Sequence, residues 1–216
     1  MRARRKQHMS DSNLASNLIR NNEIVANEWL LMTLPAGEEN VRKQAGKVVL
    51  FKLTGEISVT PEQIAATEIP AAGKIIVPLS VWIERKAELT DRLARGELGV
   101  WLATHEVLES LVESQPDLNL FPLIAVHVER FADGRIFSLG NLLRTRYGYK
   151  NELRAFGDVL RDQLFFLKRC GYDSYLIRAD RSAEDALASL KDFSQPYQGA
   201  VDINQPVWRR VQREPA

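Results

Sequence analysis

After Gly73 the chain alternates short apolar runs with amphipathic stretches, and this rhythm constrains the fold more than any other feature. Residues 74–80 (Lys-Ile-Ile-Val-Pro-Leu-Ser) read as a buried strand. Pro78 must lie near its end or at an edge, because proline cannot donate to a ladder. Residues 81–95 carry Trp82, Lys86, Leu89 and Leu93 along one helical stripe, which Gly96 ends. Residues 99–103 form the next strand, and residues 105–114 a helix through Val107, Leu108, Leu111 and Val112. Residues 123–128 are near-continuously apolar, as strands of a parallel sheet are. A loop with Asp133-Gly134-Arg135 leads to a helix beginning near Ser138, and residues 152–156 make a fourth strand. Asp158 is expected to cap a helix in which Leu160, Leu164 and Leu167 recur and Gly171 takes the position past its end. Residues 172–177 form the fifth strand, and Ser182-Ala183-Glu184-Asp185 opens the last helix with an acidic variant of the capping box. Strands alternating with helices in this way mean an α/β fold of βα units on a mainly parallel sheet, either open and doubly wound or a partial barrel.

The rest of the chain is arranged around this unit. Residues 1–23 are polar and basic and read as a leader. Residues 24–73 read as a β-rich lead-in with strand-like runs at 24–32 and 47–53. Residues 74–198 are the α/β domain and 199–216 a tail that carries Pro206 and Trp208. At 216 residues the chain is long enough to bury a core without disulfides or a structural metal. The single cysteine, Cys170, forms no intrachain disulfide, and no apolar run reaches the ~20 residues a membrane span requires. Together with the lack of a signal-peptide core these features predict a cytoplasmic protein with no membrane partner. A formal net charge of +1 also argues against a dedicated nucleic-acid binder. That near-neutral total conceals an asymmetry. Residues 84–129 hold four Lys/Arg against nine Asp/Glu, whereas residues 131–170 hold eight against four.

Several chemistries are disfavoured by missing motifs. No Gly-x-Gly-x-x-Gly follows a strand and no Gly-x-x-x-x-Gly-Lys-Ser/Thr is present, so neither a dinucleotide fingerprint nor a phosphate-binding P-loop is read. One cysteine and three unpaired histidines do not supply a cysteine-type zinc or iron–sulfur site. The polar residues concentrate at 131–173. In sheets of this type ligands sit at the carboxyl ends of strands, where Asp133, Arg135, Asp158, Thr104 and His105 all fall. Arg135 near a helix start suits a phosphate or carboxylate. The ligand-binding candidates are therefore Asp133, Arg135, Ser138, Arg144, Arg146, Arg154 and Gln163, with Asp158 and His105 as the acid–base pair. Most of these also have a structural reading. Asp-Gly-Arg is a common turn, Asp158 a helix cap, and Arg144 and Arg146 complements to a helix dipole; Gln163 can satisfy a buried carbonyl, while His127 and Cys170 suit core packing.

The same segment carries a resemblance. Asp133-Gly134-Arg135-x-x-Ser138, Leu143-Arg144-x-Arg146-Tyr147-Gly148-Tyr149, Glu152-Leu153-Arg154-Ala155, Gly157-Asp158-Val159-Leu160-x-Asp162-Gln163 and Arg169-Cys170-Gly171-Tyr172-Asp173 resemble a family of short bacterial proteins. Weaker echoes at 73–79, 99–102 and 192–198 extend it over roughly residues 73–198. That family is described as candidate oxidoreductases or accessory proteins involved in sulfite reduction, encoded near sulfite reductase. The resemblance implies a role in sulfate assimilation with a sulfite reductase subunit or its electron supply as partner, and it names no cofactor. The residues read by themselves leave a second expectation, a small α/β enzyme or sensor. There Arg135 and Arg154 bind an anionic, phosphate-bearing ligand, and Asp158 or His105 acts as acid or base.

Overall fold

A computed structural model describes residues 17–33 and 60–210. The strands are β1 (Leu18–Arg20), β2 (Glu23–Val25), β3 (Trp29–Leu31), β4 (Lys74–Pro78), β5 (Leu98–Ala103), β6 (Leu123–Val128), β7 (Glu152–Gly157) and β8 (Ser174–Leu176). The helices are α1 (Pro61–Ala65), α2 (Leu79–Glu84), α3 (Lys86–Ala94), α4 (Leu108–Ser114), α5 (Arg135–Thr145), α6 (Arg161–Arg169), α7 (Ala183–Ser189) and α8 (Val207–Arg210). The five strands expected after Gly73 are present as β4 to β8. The strand-like run at 47–53 lies outside the described residues.

All eight strands join one sheet in the order β2-β1-β8-β7-β6-β5-β4-β3. From β3 to β8 every neighbour is parallel and next in sequence; β1 alone runs antiparallel to both of its neighbours. This order has no reversal point, so the sheet is wound in one direction rather than doubly. Right-handed crossovers then place the helices that connect consecutive parallel strands on the same face.

The other face is covered by curling. Edge strands β2 and β3 are joined by only Ala26, Asn27 and Glu28. A flat eight-stranded sheet would hold its edges ~34 Å apart at ~4.8 Å per strand. The link from Val25 to Trp29 reaches at most ~14 Å. The sheet therefore bends into a half-barrel. Alternation along each strand then divides the core in two. Ile75, Val77, Val100, Leu102, Ile124, Val126, Leu153 and Ala155 point to the convex side and pack under the helices. Leu18, Trp29, Ile76, Trp101, Ala103, Leu123, Ala125, Phe156 and Leu176 form a separate apolar layer on the concave side.

Local signals account for most boundaries and for the departures from expectation. Gly96 and Gly171 follow α3 and α6 in the left-handed backbone region, and the Ser182 hydroxyl accepts the Asp185 N–H at 3.0 Å to cap α7. The helix expected over 81–95 is instead two, broken at Arg85. That guanidinium reaches the Thr67 carbonyl at 2.6 Å and grips Glu88 at 2.8 and 2.9 Å. The helix expected over 105–114 begins only at Leu108, and α5 begins at Arg135, ahead of Ser138. Residues 18–23, assigned from sequence to the leader, form most of the β1–β2 hairpin. Its two-residue turn is Asn21-Asn22, both at positive φ, the conformation a tight hairpin demands.

Candidate functional site

The carboxyl ends of β5 to β8 carry a continuous polar network. Thr104, after β5, donates its hydroxyl to Asp133 at 2.5 Å. Asp133, after β6, also accepts the Arg135 backbone N–H at 3.1 Å and the Arg135 guanidinium at 2.6 and 2.8 Å. The guanidinium hydrogen bonds hold the Asp133 carboxyl well below the ordinary carboxylate range, and the same contacts raise Arg135. The loop after β6 is gripped a second time through Phe131. Its N–H donates to Asp158 at 2.8 Å, and its carbonyl accepts the Gln163 amide at 2.9 Å. Asp158 takes Arg178, after β8, at 2.6 Å, and Arg178 forks onto Asp180 at 2.9 Å through two nitrogens.

Of the residues singled out from sequence, Asp133, Arg135, Asp158 and Gln163 therefore meet on this rim. Asp158 does not cap α6; Leu160 occupies that position, because the left-handed Gly157 turns the chain so that Asp158 faces the β6 loop. Gln163 satisfies a backbone carbonyl. His105 lies in the exposed turn after β5, and Ser138 lies on the exposed side of α5.

Arg144 and Arg146 lie at the opposite end of the sheet. Arg144 donates to the carbonyls of Gly171, Tyr149 and Asn151 and to the Asp173 carboxylate, each at 2.8 Å. It thereby ties together the loops that enter β7 and β8. Arg146 is exposed, 5.4 Å from the Tyr147 ring centre and 3.8 Å from Glu109. The basic stretch 131–170 therefore does not form one positive face. Arg135, Arg144, Arg154 and Arg169 are each paired with an internal carboxylate.

Arg154 occupies the concave face, 1% exposed. Its guanidinium grips Glu152 at 2.6 and 3.0 Å, Ser174 at 3.2 Å and Asn27 at 3.1 Å. Burial lowers its proton affinity and the Glu152 carboxylate opposes that shift. The contact with Asn27 locks the short link that closes the curl.

Toward the carboxyl end, the same face carries an aromatic layer that sequence reasoning missed. Trp101, His127 and Phe156 stand on β5, β6 and β7, with ring centres 5.6 Å apart for Trp101–His127 and 4.9 Å for His127–Phe156. Gly157 makes room for the imidazole, since a Cβ there would fall 2.8 Å from His127 Cδ2. Among the described residues the His127 ring has no hydrogen-bond partner. Burial holds its imidazole below the usual histidine range, against the opposing charge of Glu129. The signal was present in the strand parity: His127 shares a face with Leu123 and Ala125. Beside it, β4 gives way to α2 at Leu79, and the Ala103 N–H donates to Glu106 at 2.6 Å. Burial raises the Glu106 carboxyl above its ordinary range.

A family model matches residues 99–208, just over half of the chain, running from β5 through the rim network and α6 to α8. The chain belongs to the family described as bacterial protein of unknown function (DUF934). No curated protein and no solved structure matches the chain. The DUF934 match contains Thr104, Asp133, Asp158, Arg178 and the aromatic layer. Strands β1 to β4, which complete the curl, lie ahead of it. Among the described residues no three His, Cys, Asp or Glu side chains converge as metal ligands, and no helix is long and apolar enough to cross a membrane.

Proposed function

We propose that the protein is a cytoplasmic accessory protein of assimilatory sulfite reduction that acts by docking on sulfite reductase. The motif resemblance supports the pathway. One observation favours docking over turnover at the rim: Arg135 and Arg178 are already forked onto Asp133 and Asp180. An arginine so engaged has little charge or donor capacity left for a substrate anion. In this reading the redox chemistry belongs to the partner and this chain supplies position. Deleting the gene should slow growth on sulfate or sulfite and leave growth on cysteine unchanged. Equal growth on all three sulfur sources would remove the proposal.

A second reading, binding of an anionic and phosphate-bearing small molecule, is favoured by one feature. A cavity of about 260 Å³ opens between the starts of α6 and α7, with Arg161, Arg181 and Ser182 in its wall. Asp162 and Asp185 stand in the same wall and offset the two arginines. Titration with inorganic phosphate, followed by the amide signals of residues 160–163 and 181–186, tests it; unmoved signals at millimolar phosphate discard it.

A further inference from the structure

We propose that the outer face of α6 and the segment 191–210 laid along it form a docking face for an acidic protein surface with an apolar recess. Resting on the reading above, that surface belongs to sulfite reductase.

The inward side of α6 is settled by Gln163, Leu164 and Leu167, all buried. Phe166 points the other way and is more than half exposed, as are Phe193, Tyr197 and Trp208. The described residues hold one other exposed aromatic side chain of this size, Phe131, so exposure of large rings is concentrated here. Such concentration marks an interaction surface, because the exposed part of an aromatic ring adds nothing to a monomer's stability and such rings are enriched where partners bury them.

These rings are held in place. Phe165 packs on Phe166 and Phe193 with ring centres 5.6 and 4.8 Å apart, and Tyr197 packs on Trp208 at 5.0 Å. The segment is pinned to the end of α6 by Val201 N–H on the Arg169 carbonyl at 3.0 Å, and by Arg169 on Asp202 at 3.2 Å and on the Gln198 carbonyl. Arg210 closes it on Gln195 at 3.0 Å and the Pro196 carbonyl at 2.8 Å. Rings fixed before binding lose little freedom on binding, which is the property of an anchor residue.

Charge selects the partner. Residues 161–169 and 191–210 hold six Lys/Arg against three Asp. Arg169 and Asp202 satisfy each other, which leaves Arg161, Lys168, Lys191, Arg209 and Arg210 against Asp162 and Asp192, a net of three positive charges. A face that is both aromatic and basic is complementary to an acidic surface with an apolar recess.

The test places p-benzoylphenylalanine at position 166 or 208 of the full chain, with position 83 on α2 as control, in cells growing on sulfate. Light should link positions 166 and 208, and not position 83, to an acidic surface of sulfite reductase. Binding of the purified chain to purified sulfite reductase should weaken at least tenfold in Phe166→Ser and in Trp208→Ser, with unchanged melting, and should weaken with added salt. Links from 166 and 208 to a different acidic protein would keep the face and overturn the sulfite assignment. Links to a second copy of this chain, equal links from all three positions, or full-strength binding by both variants would overturn the docking face itself.

Discussion

Replacing Arg154 with alanine tests the account of how the sheet is closed. The side chain is buried on the concave face and joins β7, β8 and the β2–β3 link through Glu152, Ser174 and Asn27. Its removal leaves the Glu152 carboxylate, itself only 11% exposed, with Arg20 at 3.5 Å as its remaining cation. Breaking a buried ion pair from one side costs ~3–5 kcal/mol, because the remaining charge stays desolvated, and Arg20, on a side chain 44% exposed, offsets at most ~1 kcal/mol of that. In a domain of this size each kcal/mol moves the melting temperature by ~2–4 °C, so Arg154→Ala should melt ~6–20 °C lower. Thermal unfolding of the full chain followed by circular dichroism measures this, with the spectrum at 20 °C confirming that the variant is folded. The double variant Glu152→Gln/Arg154→Met should recover most of the loss, since an apolar and neutral pair leaves no buried charge unmatched. Melting of Arg154→Ala within ~2 °C of the parent would refute the reasoning, because no buried charge could then have been orphaned.

Two further outcomes concern pH. Asp133 has its carboxyl depressed in the folded state, so its stabilising contribution is present above the unfolded value of ~3.9 and is lost as pH falls below it. Asp133→Asn should lower urea stability at pH 7 by ~1–3 kcal/mol and flatten the loss between pH 5 and pH 2; an unchanged acid limb would contradict it. His127 is held below the usual histidine range by burial, so the contribution of its neutral ring is present above ~6.5 and erodes as pH falls below that value. Proton NMR of its ring should show a midpoint below ~6.5, and a midpoint at or above that value would place the ring in water.

The parallel strands β4, β5 and β6 were legible because strands buried on both faces leave continuous apolar runs, whereas β7, which carries Glu152 and Arg154, was legible through its place in the strand–helix alternation. Gly96, Gly171 and Ser182 were legible for a different reason. Each acts within one turn of its own helix, so the responsible residue and its effect are adjacent in sequence. The β1–β2 hairpin was not read, since strands of three residues are too short to show a period, although Asn21-Asn22 was its one local signal. Arg144 read like a helix-end charge and became the tie for three loop carbonyls and Asp173. No spacing rule encodes a contact of that kind, because its partners come from two separate loops.

By itself the sequence determined the class of element at most positions after Gly73, the helix stops, and the concentration of polar side chains after the strands. Those properties follow from side-chain period and local backbone preference, which act over a few residues. Only the tertiary structure decided between an open sheet and a half-barrel, because the choice depends on strand order and on a three-residue link between edges that a flat sheet would hold apart. The same curl decided which polar residues became a site. It gathered Thr104, Asp133, Asp158 and Arg178 on one rim, sent Arg144 and Arg146 to the other end, and enclosed Arg154 and His127, since contacts between distant segments arise only once the strands are laid side by side.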